Sequence, residues 1–217
     1  MNHDRLSRPA QKARTRQSLL DAALTLMQQR SLSSIGLREI TRVAGLTPAA
    51  FYRHFPDVDS LGVALVDQCL GSLRTTIRTV RDGLSSSDEV INRSIDILAR
   101  QVHADPAHFR FIARERHGGV AAVRAAIAEQ LDLFAADLAI DLATDKMAGG
   151  PRFDRWIVAD LRMVTSLFVS HMVWTAAALL DAPPDDPAAT DQVIDTAARQ
   201  LRLIMLGARE WPAEPAP

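Results

Sequence analysis

The sequence predicts an all-α protein of nine helices, and two observations support this fold class. Apolar residues recur at spacings of three and four along nearly the whole chain of 217 residues, as they do on the buried side of an amphipathic helix. The apolar–polar alternation that is typical of a strand does not extend over any length of the sequence. We expect an arm and a unit of three helices at residues 1–57, followed by a larger helical unit at residues 58–217.

The second predicted helix is short and ends at a glycine. Leu37, Ile40 and Val43 are spaced as one buried face over about two turns. Gly45 follows where the chain must reverse, and glycine is the usual residue just past the end of a helix. We therefore expect this helix to stop before Gly45.

The third predicted helix, Thr47 to Phe55, is suited to entering a groove of DNA. Thr47 is a good N-cap, and Phe51 and Phe55 are four residues apart and can both point inward. The open face then holds small residues followed by polar and cationic ones: Thr47, Pro48, Ala49, Tyr52, Arg53 and His54. A small tip lets the backbone approach the groove, and Tyr, Arg and His donate to phosphate oxygens. The pattern is typical of a helix–turn–helix, although an ordinary helical hairpin shares its turn.

The run REITRVAGLTPAAFYRHFPDVDSL, Arg38 to Leu61, resembles the DNA-binding domain of the TetR family of bacterial regulators. The likeness extends over about Arg14 to Val66, and it implies that the start of the first helix lies near the DNA backbone. Many members have a lysine near the start of the fourth helix, where this chain has Val58 and Asp59, so we do not count that phosphate contact. The predicted DNA-binding residues are Arg14, Thr15, Arg16, Arg38, Thr47, Pro48, Ala49, Ala50, Tyr52, Arg53 and His54.

Charge is distributed unevenly along the chain. The formal net charge is −1, but residues 1–60 hold nine basic and five acidic side chains, which gives +4 there and −5 in the remainder. A basic amino end on an acidic body favours DNA binding through one end of the molecule. Residues 1–11 are polar and basic, and we expect them to form a mobile arm that is able to add phosphate or minor-groove contacts.

The other predicted helices are long, and one of them is apolar around most of its circumference. Their expected bounds are about 12–30, 58–84, 88–103, 106–117, 120–145, 153–180 and 188–211. In the helix at 153–180, residues such as Leu161, Leu167, Val169 and Trp174 point in many directions, so nearly all sides need cover. We expect a homodimer in which the last two long helices pack against their symmetry mates.

The larger unit resembles a narrower group of the family, the FabR-type regulators of unsaturated fatty acid synthesis and the related DesT. The residues that carry the likeness include Asn92-Arg93-Ser94, Phe109-Arg110, Arg114-Glu115-Arg116 and Gly118. The resemblance implies a tunnel for a long-chain acyl thioester. The predicted ligand-binding residues are Phe109, Ile112, Arg116, Phe134, Phe168, Met172 and Trp174. Aromatic and Met residues at helical spacing are also ordinary core, and the arginines with Glu115 also fit an ion-paired surface.

Catalysis, metal binding and membrane insertion have little support in the sequence. The six histidines show no spacing typical of metal ligands, and there is no Gly-rich phosphate loop, so we expect no cofactor and no enzymatic activity. Cys69 stands alone in an apolar run, which indicates packing in a reducing compartment. No stretch of 18 apolar residues is present, and we expect a cytoplasmic protein with no membrane partner.

The expected function is that of a homodimeric repressor that binds a pseudo-palindromic operator in double-stranded DNA. Its effector would be a small hydrophobic molecule, an acyl-CoA or fatty acid, and its targets genes of lipid metabolism. One alternative keeps the fold but makes the effector a lipophilic toxicant and the target an efflux system. Another is a helical lipid carrier or enzyme whose basic amino end is incidental.

Overall fold

The computed structural model describes residues 7–81, 86–143, 156–183 and 185–211. These residues form nine helices and a 3-10 turn at Leu32–Ser34, which confirms the predicted all-α class. The fourth helix, α4, continues unbroken through Val58–Val66, a π-helical turn at Asp67–Gly71 and Ser72–Arg81. The others are α1 (Arg8–Leu26), α2 (Leu37–Val43), α3 (Pro48–Tyr52), α5 (Ser87–Ala104), α6 (Pro106–Glu115), α7 (Ala121–Ala143), α8 (Val158–Asp181) and α9 (Pro187–Arg209).

Side-chain oxygens cap the amino ends of five helices. In each case the oxygen accepts a hydrogen bond from the backbone N–H three residues further on, a group that the helix itself cannot pair. The caps are Ser7 with Ala10 (3.4 Å), Thr47 with Ala50 (3.2 Å), Asp57 with Ser60 (2.7 Å), Ser86 with Glu89 (3.2 Å) and Asp186 with Ala189 (3.2 Å). The predicted cap Thr47 is thus confirmed, and Asp57 caps α4 in the same way. Asp105 makes no such bond, and α6 begins with Pro106 alone.

The first helix is displaced toward the amino end from its predicted bounds. It begins at Arg8, because Ser7 caps it and Pro9 is tolerated within the first turn. Residues 8–11 are therefore helical and not part of an arm; residues 1–6 of the predicted arm lie outside the described residues. The helix ends at Leu26, four residues before the predicted end.

Four other predicted bounds concern the long helices. The expected ends of the fourth and seventh helices, at 84 and 145, lie outside the described residues. Helix α8 begins at Val158, after Ile157 in an extended conformation, and not at the predicted residue 153. Helix α9 ends at Arg209 and not at Trp211.

Two clusters of buried side chains hold the helices together. One joins α1, α2 and α3 to α4, α5, α6 and α7, and it includes the fully buried Leu19, Phe51 and Leu65. The other joins α5, α7, α8 and α9. Gly62 allows α4 to approach its neighbours closely, since a Cβ at this position would collide with the side chains of Leu32 and Val123.

Helix α8 lies between α7 and α9 and has one buried and one exposed apolar side. Val164 and Phe168 are buried, whereas Met163, Leu167 and Trp174 are exposed to 39%, 49% and 75%. Helix α8 also has the length and apolar composition of a membrane-crossing helix, but here it packs against α5, α6, α7 and α9. In a single chain the exposed side is left uncovered.

Candidate DNA-binding face and effector cavity

The turn between α2 and α3 is closed by a glycine in the left-handed conformation. Gly45 has φ 67°, and its N–H donates to the carbonyl of Arg42 (3.2 Å). The N–H of Leu46 donates to the carbonyl of Thr41 (2.8 Å). These two bonds form a Schellman motif, which pairs carbonyls that the end of α2 would otherwise leave open. The predicted glycine stop is confirmed.

The predicted buried face of α2 is wrong at one position. Val43 is 42% exposed, while Thr41 is 2% exposed and Ile40 is fully buried. A helix advances about 100° per residue, so a residue six positions after Leu37 lies about 120° away from it. The inward positions are therefore Leu37, Ile40 and Thr41, and Val43 faces outward.

Helix α3 is held by its two phenylalanines and is shorter than predicted. Phe51 and Phe55 are buried, with ring centroids 5.7 Å apart, as predicted from their spacing. The helix ends at Tyr52, and the N–H groups of His54 and Phe55 both donate to the carbonyl of Phe51 (2.8 and 3.0 Å). Pro56 disfavours a helical conformation at the residue before it, which explains the early end.

The outer face of α3 is open, as the sequence predicts. Tyr52 is 62% exposed. Of the remaining predicted residues of this helix and its flanks, Thr47, Pro48, Ala49 and Arg53 are exposed, and Ala50 and His54 are half-buried. Small and cationic side chains thus share one accessible surface.

A cationic cluster joins the start of α1 to the end of α3. Burial lowers the pKa of His54, and the charges of Lys12, Arg16 and Arg53 lower it further. The Arg16 guanidinium also lies over the Phe55 ring, 5.0 Å from its centroid. Lys12 is missing from the predicted set of DNA-binding residues, although its spacing of four from Arg16 places both on one face of α1.

The other predicted DNA-binding residues do not belong to this cluster. Arg14 and Arg38 are exposed. Thr15 donates its hydroxyl to the carbonyl of Gln11 (2.9 Å) within α1. Their side chains remain accessible, but the cluster does not include them.

The larger unit contains an apolar cavity of about 140 Å³ between α4, α5, α6, α7, α8 and α9. Six of the seven predicted ligand-binding residues line it: Phe109, Ile112, Arg116, Phe134, Phe168 and Met172. Among the described residues of its wall, Ser87, Ser94 and Arg116 are the polar ones, and none is acidic.

The seventh predicted ligand-binding residue, Trp174, is not in the cavity. It is 75% exposed and lines an open groove between α8 and α9. Trp174 lies six residues after Phe168, and at 100° per residue that places it about 120° away from Phe168 on the helix. The sequence pattern does not show which side of a uniformly apolar helix faces inward.

Arg116 stands where the cavity meets a second groove. That groove is lined by Arg116, His117 and Arg124, together with residues of α7 and α8. Leu131, Val169 and Val173 also border both spaces. A molecule that fills the cavity can therefore place its end near three nitrogen-bearing side chains and the carboxylate of Asp132.

The described residues hold neither a cluster of possible metal ligands nor an exposed thiol. They contain no group of three or more His, Cys, Asp or Glu side chains that could share a metal ion. Cys69 is buried, and burial, with a smaller contribution from Asp105, raises the pKa of its thiol to about 12. The thiol therefore stays protonated near neutral pH and is a poor nucleophile.

The helix–turn–helix of α2 and α3 lies inside a segment of the chain that matches a known family. Residues 19–65 match the sequence profile of the bacterial regulatory proteins of the tetR family. Residues 19–65 therefore form a DNA-binding domain of the tetR-family type.

Solved structures of similar fold are found over nearly the whole chain. A putative TetR-family regulator from Syntrophomonas wolfei has a TM-score of 0.69 at 11% identity, over 90% of this chain and 96% of that one. GusR from Salmonella enterica has a TM-score of 0.68 at 17% identity, over 96% and 100%. FadR from Bacillus subtilis, in complex with stearoyl-CoA, has a TM-score of 0.65 at 14% identity, over 88% and 98%. At these identities the likeness shows the fold, and the narrower resemblance to FabR-type regulators stays a prediction.

Proposed function

We propose that this protein is a homodimeric, cytoplasmic transcriptional repressor whose hold on DNA is controlled by a long-chain acyl-CoA or fatty acid. The observation that carries the proposal is the composition of the cavity wall: apolar side chains from six helices and one cation, Arg116. The target genes would be those of lipid metabolism, including unsaturated fatty acid synthesis.

The wall suits an acyl chain with an anionic end. Each methylene that leaves water for such a cavity contributes about 0.8 kcal/mol. The backbone N–H of Arg116 donates to the carbonyl of Ile112 (3.0 Å), but its side chain makes no hydrogen bond or ion pair with another described residue, so the guanidinium is available to a carboxylate or phosphate. The FadR of similar fold was solved with stearoyl-CoA, which is consistent with this chemistry.

The efflux alternative receives less support from the same wall. A cationic toxicant would meet Arg116, and no described residue of the wall offers a carboxylate to balance its charge. Burying an unpaired cation is costly, so a cationic ligand is disfavoured.

DNA would be bound by the outer face of α3 together with the cationic cluster. Tyr52, Arg53 and His54 would contact phosphates, and the small residues at the start of α3 would approach the bases. Arg14, Thr15, Arg16 and Arg38 would add backbone contacts. Two copies in successive major grooves require half-site centres about 34–36 Å apart, and hence a pseudo-palindromic operator.

The first test is direct titration with acyl ligands. We expect the protein to bind stearoyl-CoA or oleoyl-CoA and the DNA affinity to change when it does. Arg116→Gln should weaken acyl-CoA binding by about tenfold, because it removes a charged hydrogen-bond donor while keeping a similar shape. Isothermal titration gives the affinity, and Arg110→Gln, at an exposed position of α6, is the matched control.

The two possible anionic ends are separated by a parallel titration with oleate. An equal loss of affinity for oleate and oleoyl-CoA in Arg116→Gln would mean that Arg116 meets the carbonyl end of the chain. A loss for the thioester alone would place the coenzyme phosphates there. Failure to bind any acyl ligand at micromolar concentration would contradict the proposed effector.

A further inference from the structure

Helix α6 touches both the cavity and the helix–turn–helix unit. On one side, Phe109, Ile112 and Ala113 line the cavity, as does Arg116 directly after the helix. On the adjoining side, the neighbouring residues Arg114 and Glu115 reach into the head, residues 7–57. Both make hydrogen bonds there to backbone groups that are more than 80 positions away in the sequence.

Arg114 caps the carboxyl end of α1. Its Nη1 donates to the carbonyls of Met27 (2.6 Å) and Arg30 (2.9 Å), and its Nη2 donates to the carbonyl of Gln28 (3.2 Å). The last carbonyls of a helix lack partners within it and carry partial negative charge, so a guanidinium is a favourable cap. One side chain of α6 thus binds three backbone carbonyls of the segment that follows α1.

Glu115 caps the 3-10 turn that follows. Its Oε1 accepts hydrogen bonds from the Ser31 hydroxyl (2.8 Å) and from the N–H of Leu32 (2.9 Å). Ser31 precedes the turn but makes no side-chain cap of its own, so the cap comes from α6. The Glu115 side chain is 1% exposed, and water therefore cannot replace it.

The loop after α6 is shaped around this carboxylate. A Cβ at Gly118 would collide with the carboxyl group of Glu115. The Gly118 N–H also donates to the backbone carbonyl of Glu115 (3.0 Å), which closes the end of α6. The Glu115 side chain has little room to move without α6.

We propose that Arg114 and Glu115 are positioning residues that fix the head to α6, so that a shift of α6 imposed by the contents of the cavity is passed to the DNA-binding face. The two caps lie at the end of α1 and at the turn before α2, and α1 also carries Lys12 and Arg16 of the cationic cluster. Movement of α6 therefore tilts α1 and the turn together. The inference rests on the proposed function in taking the cavity as the effector site.

A double-mutant cycle tests the coupling without any effector. Phe109→Ala alters the cavity wall and Arg114→Ala removes one cap, and the dissociation constant for operator DNA is measured for both single variants, the double variant and wild type. We expect Phe109→Ala to change the DNA dissociation constant by about fivefold or more in the wild-type background and by less than about twofold in the Arg114→Ala background. Equal factors in both backgrounds, or no effect of Phe109→Ala in wild type, would overturn the proposal.

Glu115 provides a second pair of variants in case Arg114→Ala fails to fold. Glu115→Gln keeps an accepting oxygen for Ser31 and Leu32 and should retain the coupling, whereas Glu115→Ala should abolish it. A merely structural role would lower the melting temperature of Glu115→Ala but leave the effect of Phe109→Ala unchanged, and that result would overturn the proposal. Arg110→Ala, at an exposed position of the same helix, is the control and should behave as wild type.

An arm with stearoyl-CoA separates the two proposals. If the ligand changes wild-type DNA affinity by about tenfold, Arg114→Ala should reduce that change below about threefold while the directly measured ligand affinity stays within about twofold. If stearoyl-CoA neither binds nor acts on wild type, the proposed effector is wrong, and the cycle still decides whether α6 couples the cavity wall to the head.

Discussion

At the scale of single residues, the surroundings of a side chain decide its chemistry. His54 follows Arg53 in the sequence, and this position predicts one more cationic contact with DNA. In the structure it is half-buried beside Lys12, Arg16 and Arg53, and its lowered pKa keeps it uncharged near neutral pH. His54 would therefore contact a phosphate as a neutral imidazole. Its pKa would rise only when the phosphates of DNA offset the charges of Lys12, Arg16 and Arg53.

A second histidine with a lowered pKa makes stability depend on pH. Burial lowers the pKa of His171, against an opposing hydrogen bond with the backbone of Ala197. Because the unfolded state then binds the proton more readily, the stability that His171 contributes is present above pH 6.5 and is lost as the pH falls through the folded-state pKa. We expect the free energy of unfolding to fall between pH 7.5 and 5.5.

The measurement is urea unfolding at several pH values. His171→Gln should flatten the dependence on pH, and His103→Gln, at an exposed position of α5, should leave it as in wild type. An unchanged slope in His171→Gln would mean that its imidazole titrates in the folded protein as it does in the unfolded chain.

At the scale of whole elements, the sequence predicts helix starts better than helix faces. Thr47 and Asp57 are recognisable caps because the bond they make is local. The end of α1 is capped by Arg114, which lies far away in the sequence. No pattern in the residues near the end of α1 predicts this cap. Val43 and Trp174 were assigned inward, but a spacing of six residues places them about 120° from the buried side.

The exposed side of α8 has a spacing that favours a second helix. Met163, Leu167 and Trp174 lie four and seven residues apart, which aligns them in one stripe. On α9, Leu203 and Leu206 are exposed to 68% and 55%. Such adjoining apolar surfaces are those expected of an isologous four-helix interface.

A charge in the stripe on α8 tests this interface. Leu167→Glu should weaken dimerisation by about a hundredfold or more, because it would bury an unpaired carboxylate. Sedimentation velocity across a range of concentrations measures the effect, and Ser166→Glu, at the adjacent exposed position, should stay dimeric. If Leu167→Glu dimerised with the same affinity as wild type, the dimer interface would lie elsewhere on the molecule. Val169, which was expected to lie in the same interface, is a poorer probe because it lines the cavity.

At the scale of the whole molecule, the sequence predicts the fold class, the basic amino end and six residues of the cavity wall. It does not distinguish lining from ordinary core, since Leu70, Leu73 and Ile77 of α4 read as one more apolar stripe and yet border the cavity. That distinction depends on how helices from distant parts of the chain are rotated against each other. The same holds for Arg114 and Glu115, whose sequence context fits a charged surface while their partners lie in the head.

The central claim is that the outer face of α3 and the cationic cluster hold a duplex. Its most direct test is the affinity of the purified protein for the DNA upstream of its own gene, measured by fluorescence anisotropy from low to physiological salt. Wild type should bind with a steep salt dependence. Tyr52→Ala and Arg53→Ala should bind both specific and random DNA more weakly, and Arg53→Ala should reduce the salt slope by about one phosphate contact. Affinities of the two variants equal to that of wild type, or no binding by wild type at low salt with and without acyl-CoA, would contradict the claim.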